Sequence, residues 1–170
     1  MFFGLKFILD LIYLFMNSRD IGDMRPMKRA RHLMTERKKF VYTIKDLPLT
    51  PIVEDQGICT RFLLSENIMV SFIENPPGAT FPIHQHECEQ IMIMTEGSEA
   101  HEVNGEIIMM KAGDVAVHPS NVPHGGKTET GMKAIDIFAP HRDAHLEKMK
   151  QYGTMPNPDG TYPAKNNIEE

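Results

Sequence analysis

The sequence predicts an all-β chain, folded as an antiparallel β-sandwich or barrel, with a short helical arm ahead of it. Three observations carry that prediction. From Phe40 onward the apolar runs are of strand length and rich in β-branched and aromatic residues. Turn-forming groups separate them: Asn75-Pro76-Pro77-Gly78, Glu96-Gly97, Asn104-Gly105 and Lys111-Ala112-Gly113-Asp114. No long helix lies between the runs, so a parallel sheet would lack its crossovers.

Taken in order, the chain opens on Met1 to Met16, an apolar run broken only by Gly4, Lys6 and Asp10. Lys6 and Asp10 would pair on one helical face while Leu5, Ile8, Leu9 and Ile12 cover another. The run reads as an upstream extension or packing arm, with Met24, Met27 or Met34 as the working start. An interfacial membrane helix and a secretory signal are the two other readings. The signal reading lacks a basic first segment and a small-residue cleavage site. Residues 19–39 carry eight Lys and Arg against three acidic residues, whereas residues 40–170 carry nine basic and nineteen acidic side chains. An acidic body excludes a nucleic-acid surface, which needs clustered cations. The basic stretch reads as a solvated linker.

The expected strands are Phe40–Ile44, Ile58–Leu64, Ile68–Ile73, Gln90–Thr95, Glu99–Val103, Glu106–Met110, Val115–Val117 and Met132–Phe138. Asn104-Gly105 marks a two-residue type I′ hairpin. A short helix is expected over Arg142–Tyr152, then an irregular surface tail from Met155. The division is an arm over 1–39, a barrel over 40–140, and a helix and tail over 141–170. With 170 residues, 41% of them apolar, the chain can form one core. Cys59 and Cys88 have no CxxC partner, which argues against a disulfide framework and for a reducing, cytoplasmic compartment. No apolar run reaches the roughly 18 residues of a membrane span, so membrane contact would fall to residues 1–16 alone.

The chemistry concentrates between Gly78 and His124. His84 and His86 are one residue apart, and on a strand both side chains would point to one face. Gln90 lies at an even offset on the same expected strand, and the Gly113-Asp114 turn brings His124 back beside it. Three imidazoles and an amide oxygen make a site for one divalent ion, with open positions left for a ligand. Imidazole suits Zn, Ni, Fe and Cu, and an amide oxygen also suits Mn. Gln90 is neutral and leaves the full double charge on the ion, which favours Lewis-acid work on a small anionic substrate. Cys88, at an odd offset, is expected to face away from His86 and Gln90. His101, His118, His141 and His145 are expected in surface or supporting roles, and Met92, Met94, Met109 and Met110 as adaptable core filling.

The pattern Gly78-x5-His84-x-His86-x3-Gln90-x6-Gly97 resembles the first motif of the cupin family. Gly113-x5-Pro119-x-Asn121-x2-His124 resembles the second, over roughly residues 75–128 together. The usual Glu is Gln90, the usual Gly is Asn121, and the last position, often Asn, is Thr128. Asn tolerates a left-handed turn, so Asn121 is a mild change. The resemblance implies a double-stranded β-helix, or jelly-roll barrel, with a metal on His84, His86, Gln90 and His124. The chain is expected to form a homodimer.

Further on, Asp136 and Phe138 share a strand face and Arg142 follows. At a barrel mouth they would supply an acid/base, a ring contact and a carboxylate clamp. The same spacing also allows Asp136 to pair with a neighbouring cation and Phe138 to be ordinary core. Together with Glu89-Gln90, these residues are similar to the small uronate-linearising cupins of the KdgF type. That resemblance implies that Asp136, Phe138 and Arg142 form a substrate site. It also implies ring opening of 4,5-unsaturated monouronates, from pectin or alginate, to linear keto-uronates. A cupin dioxygenase and a non-catalytic small-ligand-binding cupin are the alternatives.

Overall fold

The computed structural model describes residues 37–164. Nine strands follow one another: β1 (Leu49–Val53), β2 (Ile58–Leu64), β3 (Met69–Asn75), β4 (Thr80–His84), β5 (Glu89–Val103), β6 (Glu106–Lys111), β7 (Val115–His118), β8 (His124–Lys127) and β9 (Met132–Ala139). One helix, α1 (Asp143–Gln151), comes after them. The strands run in the order β1-β2-β3-β9-β5-β8-β4, with β6 and β7 also on β5, and every pairing is antiparallel.

Strand β5 joins the two halves of the barrel. Its first part, from Glu89 to Gly97, pairs with β9 and β7, and its second, from Ser98 to Val103, with β6 and β8. Glu96-Gly97, expected as a turn between two strands, is instead a bulge within one strand. The register shifts between Met94 and Glu96, and Gly97 takes φ 74. Only glycine reaches that backbone without strain, and a Cβ there would overlap the Gly131 carbonyl. The chain bends without losing its pairing, and side chains after the bend point into the barrel. The Asn104-Gly105 hairpin forms as expected, with φ 51 and 83.

Alternation sets the core. Along β2 every second residue is buried, from Ile58 to Leu64. One cluster gathers Ile58, Ile73, Met92, Met94, Met110 and Met132, and a second Phe62, Leu64, Met69, Cys88, Phe138 and Met149. Met109, expected in the core, is 67% exposed because it lies on the other face of β6 from Met110.

Several expected elements differ. Phe40–Ile44 is not a strand, for Phe40 and Val41 are exposed and a short 3-10 turn begins at Ile44. The first strand is β1, whose Pro51 hides it in the sequence. β1 pairs only with β2 among the described residues, and an edge strand tolerates proline. The segment after α1 lies against the barrel, not loose on its surface. Thr154 and Thr50 share a buried hydroxyl bond of 2.7 Å, and Tyr162 Oη accepts from the Leu64 amide at 2.8 Å. Arg37 donates to the Leu64 carbonyl at 2.8 Å, so the last residues of the basic stretch are anchored there too. The helical arm and the membrane reading fall on residues outside those described. Among the described residues no helix is long and apolar enough to cross a membrane.

Candidate metal centre

His84 ends β4, His124 begins β8, and the two are paired partners across that ladder. His86 is past the end of β4, in the turn leading to β5, and Gln90 is the second residue of β5. The expectation of His84, His86 and Gln90 on one strand is therefore corrected. The turn at residues 85–88, not strand alternation, folds His86 back beside His84. The Gly113-Asp114 turn returns β7 against β5, placing His118 opposite Gln90, and β8 then carries His124 to β4. Asn121 takes φ 61 in the connection, as its residue type allows.

The rings are oriented by the backbone. Nδ1 of His84 faces the Pro82 carbonyl at 2.9 Å, that of His86 the Cys88 carbonyl at 2.8 Å, and that of His124 the Val122 carbonyl at 2.8 Å. A carbonyl only accepts, so each Nδ1 carries the proton and each Nε2 is left with a lone pair. The ligand atoms of the three histidines all lie within 4.8 Å of one another. Gln90 Oε1 is 3.1 Å from both His86 Nε2 and His124 Nε2. Four acceptors thus face one another, and His84 Nε2 is buried with no partner at all. Protons do not relieve this. Burial, then the Arg142 charge, pushes His84 down to about 3 and lowers His86, and burial takes His124 to about 4. A cation among the four atoms satisfies them together, so the donor set fits a divalent metal.

Around these ligands lies a supporting layer, to which Glu99, a residue without a role in the sequence pattern, also belongs. Gln90 Nε2 donates to Asp136 Oδ1 at 2.9 Å, which turns the amide oxygen toward the histidines. Burial raises Asp136 to about 7, with the Glu99 carboxylate adding to the rise against the Gln90 bond and Arg142. Glu99 Oε1 accepts from His101 Nδ1 at 2.7 Å, and His101 Nε2 meets His118 Nε2 at 2.8 Å. The His118 ring stacks on His124 with centroids 4.1 Å apart and planes 5° apart. His101 and His118 are buried, so of the two expected roles they take the supporting one. Glu99 and His101 sit two apart on β5, and the bulge at Glu96-Gly97 shifts the alternation so that these odd positions are buried as Gln90, Met92 and Met94 are before it. Gly126 leaves the room, since a Cβ there would overlap the Glu99 carboxylate. Cys88 also departs from expectation, because its buried Sγ lies 3.2 Å from His86 Nδ1.

Asp136, Phe138 and Arg142 all line one small cavity of about 40 Å³, together with His84, Gln90 and His124. Phe138 is 1% exposed and belongs to the core; its ring meets His86 at 5.8 Å, and the Arg142 guanidinium lies 5.9 Å from its centroid. Arg142 Nη1 donates to His145 Nε2 at 3.1 Å, while its Nε is buried without a partner. His145 is itself buried between Phe62 and Phe138, at 5.0 and 5.2 Å. An outer cleft of about 500 Å³ opens on the other side of Arg142, lined also by His86, Glu66, Glu87 and Asp143. The site therefore has an inner chamber of one or two waters and a wider mouth, with Arg142 common to both.

Comparison with known proteins agrees with this architecture. The cupin domain family matches residues 71–138. The chain is similar to an RmlC-like cupin from Shewanella frigidimarina, at 26% identity over 65% of this chain and 98% of that one, with a TM-score of 0.59. It is similar to KdgF from Halomonas sp., at 31% identity over 57% of this chain and 90% of that one, with a TM-score of 0.52. A predicted oxalate decarboxylase from Thermotoga maritima, at 20% identity over 60% of this chain and all of that one, shares the fold with a TM-score of 0.54. No curated protein matches. With both motifs folded around one metal-ligand set and these relatives in hand, the chain belongs to the cupin family.

Proposed function

We propose that the chain is a metal-dependent, non-redox enzyme that opens the ring of a 4,5-unsaturated monouronate to its linear keto acid. The observation that carries the reading is the 2.9 Å bond from Gln90 to Asp136. It fastens an acid/base group to a metal ligand inside one cavity. The likeness to KdgF from Halomonas sp. supports the substrate class. The neutral Gln90 supports a Lewis-acid role, and a bound divalent ion would polarise the substrate's oxygens.

The residues divide the work. Arg142 makes no ion pair with a described side chain, and its guanidinium is available to a substrate carboxylate. A sugar ring exceeds the 40 Å³ chamber, so it rests in the outer cleft, and Arg142 turns outward to join the two spaces. Asp136 takes the proton from the hemiacetal hydroxyl as the ring C–O bond breaks. It returns that proton to the alkene carbon as the resulting enolate becomes a ketone. Phe138 keeps water from the inner wall and holds Arg142 and His86 against its ring.

The test is incubation of the metal-loaded protein with unsaturated galacturonate, following loss of the enol-ether absorbance. The wild type should consume it, and Asp136→Asn should lose about 10² to 10⁴ in rate while keeping its metal. An unchanged spectrum with fully loaded protein overturns the substrate. Full activity in Asp136→Asn overturns the role of Asp136. Oxygen uptake during turnover would point to the dioxygenase alternative.

A further inference from the structure

Four neutral donors, the imidazoles of His84, His86 and His124 and the amide of Gln90, would leave a bound ion's double charge uncancelled inside the barrel. Among the described residues only two carboxylates are buried, Asp136 and Glu99, and no lysine or arginine is. Both line the chamber that His84, Gln90 and His124 line. Neither belongs to the group of ligand atoms that lie within 4.8 Å of one another. Each stands behind one ligand instead. Asp136 accepts from the Gln90 amide, and Glu99 leads through two imidazoles to His124.

That path is continuous. Glu99 Oε1 accepts from His101 Nδ1 at 2.7 Å. In a neutral imidazole the second nitrogen accepts, so His101 Nε2 accepts from His118 Nε2 at 2.8 Å. Both N–H groups then point toward Glu99, and His118 Nδ1 keeps a lone pair, buried and without a partner. A buried acceptor left over is a commoner defect than a buried N–H left over. Each bond polarises the next, so His118 presents an electron-rich ring. That ring lies flat on His124, with centroids 4.1 Å and planes 5° apart, the one near-parallel ring pair among the described residues. Three strands build the arrangement. Glu99 and His101 come from β5, His118 from β7, and Gly126 of β8, two residues past His124, leaves room for the carboxylate. His101 and His118 are both buried, so water does not screen the charge.

We propose that Glu99, acting through His101 and His118, is the counter-charge of the metal centre and holds the ring of its ligand His124. Two carboxylates, each set behind a ligand, then match the double charge of the ion. Gln90 is free to stay neutral and to keep its hydrogen for Asp136. A carboxylate bonded to a metal-ligating histidine fixes the ring and raises its basicity. On His124 the nitrogen that would take such a bond is held by the Val122 carbonyl, so the support reaches the ring through its face. None of the three residues is a donor to the ion, and they are positioning residues. This role depends on the metal centre and not on which reaction follows.

Cobalt(II) binding to the full chain tests this, with affinity read by competition against a chromophoric chelator and ligand geometry by the visible absorption bands. Glu99→Gln keeps the shape and removes the charge. It should bind cobalt about 10- to 100-fold more weakly, and its bands should move when the site is fully loaded. If that variant does not fold, His118→Phe keeps a ring on His124 but breaks the bond to His101. It should weaken cobalt about tenfold, again with moved bands. Wild-type affinity in either variant overturns the proposal; in Glu99→Gln it would mean that His101 carries both protons and cancels the charge itself. Weaker binding with unmoved bands also overturns it, because the residues would then serve the fold and not the ligand. A wild type that takes up no cobalt overturns the metal centre as well.

Discussion

The side-chain amide of Gln90 donates to the carboxylate of Asp136 across 2.9 Å, and its oxygen lies 3.1 Å from two histidine nitrogens. One neutral side chain is therefore placed both to orient the Asp136 carboxyl and to face the same point as the three histidines. An ionised glutamate could not do both, for it has no hydrogen to give Asp136.

Gln90→Glu should separate the two duties. The added charge should hold a divalent ion at least as tightly, measured by competition with a chromophoric chelator. Facing it, Asp136 would have to share a proton, as like charges at that distance do. Turnover of the proposed substrate should fall by about 10² or more while metal content is unchanged.

Metal binding should appear as stability. With the ion at about one hundred times its dissociation constant, unfolding should cost about 2.7 kcal/mol more than after chelation. Calorimetry with and without chelator measures this. His84→Ala removes the nitrogen that has no other partner, and its melting temperature should no longer respond to metal.

Acid should unfold the chelated protein. Burial, followed by the Arg142 charge, holds His145 well below its ordinary value, and burial does the same to His84, His118 and His124. These folded values are depressed, so their stability contribution is complete above the unfolded value of about 6.5 and is lost as pH falls below it. Each such imidazole steepens the loss by up to about 1.4 kcal/mol per pH unit. His145→Gln should therefore flatten the dependence of urea stability between about pH 6.5 and about pH 5.

Gly126→Ala should press on the buried Glu99 carboxylate and strain its 2.7 Å bond to His101. The expected loss is about 1–3 kcal/mol in urea denaturation. Placing Glu99→Ala in the same chain should recover part of it, giving a coupling energy in a double-mutant cycle.

Much of the barrel was legible because strand alternation and turn chemistry are local. The buried positions of β2 and the Asn104-Gly105 hairpin follow from residue type alone. Glu96-Gly97 did not, since a glycine at positive φ serves equally to end a strand or to bend it, and only pairing with β9 distinguishes the two. Pro51 hid β1 for a similar reason, because proline is excluded from central strands but not from an edge.

The amino-acid sequence by itself determined the kind of site: three imidazoles, an amide, and the spacing that resembles both cupin motifs. Those follow from residue types and short-range intervals. Tertiary structure alone decided which nitrogen each histidine offers, because carbonyls of Pro82, Cys88 and Val122 hold the other one. It also decided that Glu99, His101 and His118 stand behind His124, and that Arg142 leans on His145. These contacts join residues from different strands, and a lone pair's direction depends on where a neighbouring backbone passes, which no local pattern records.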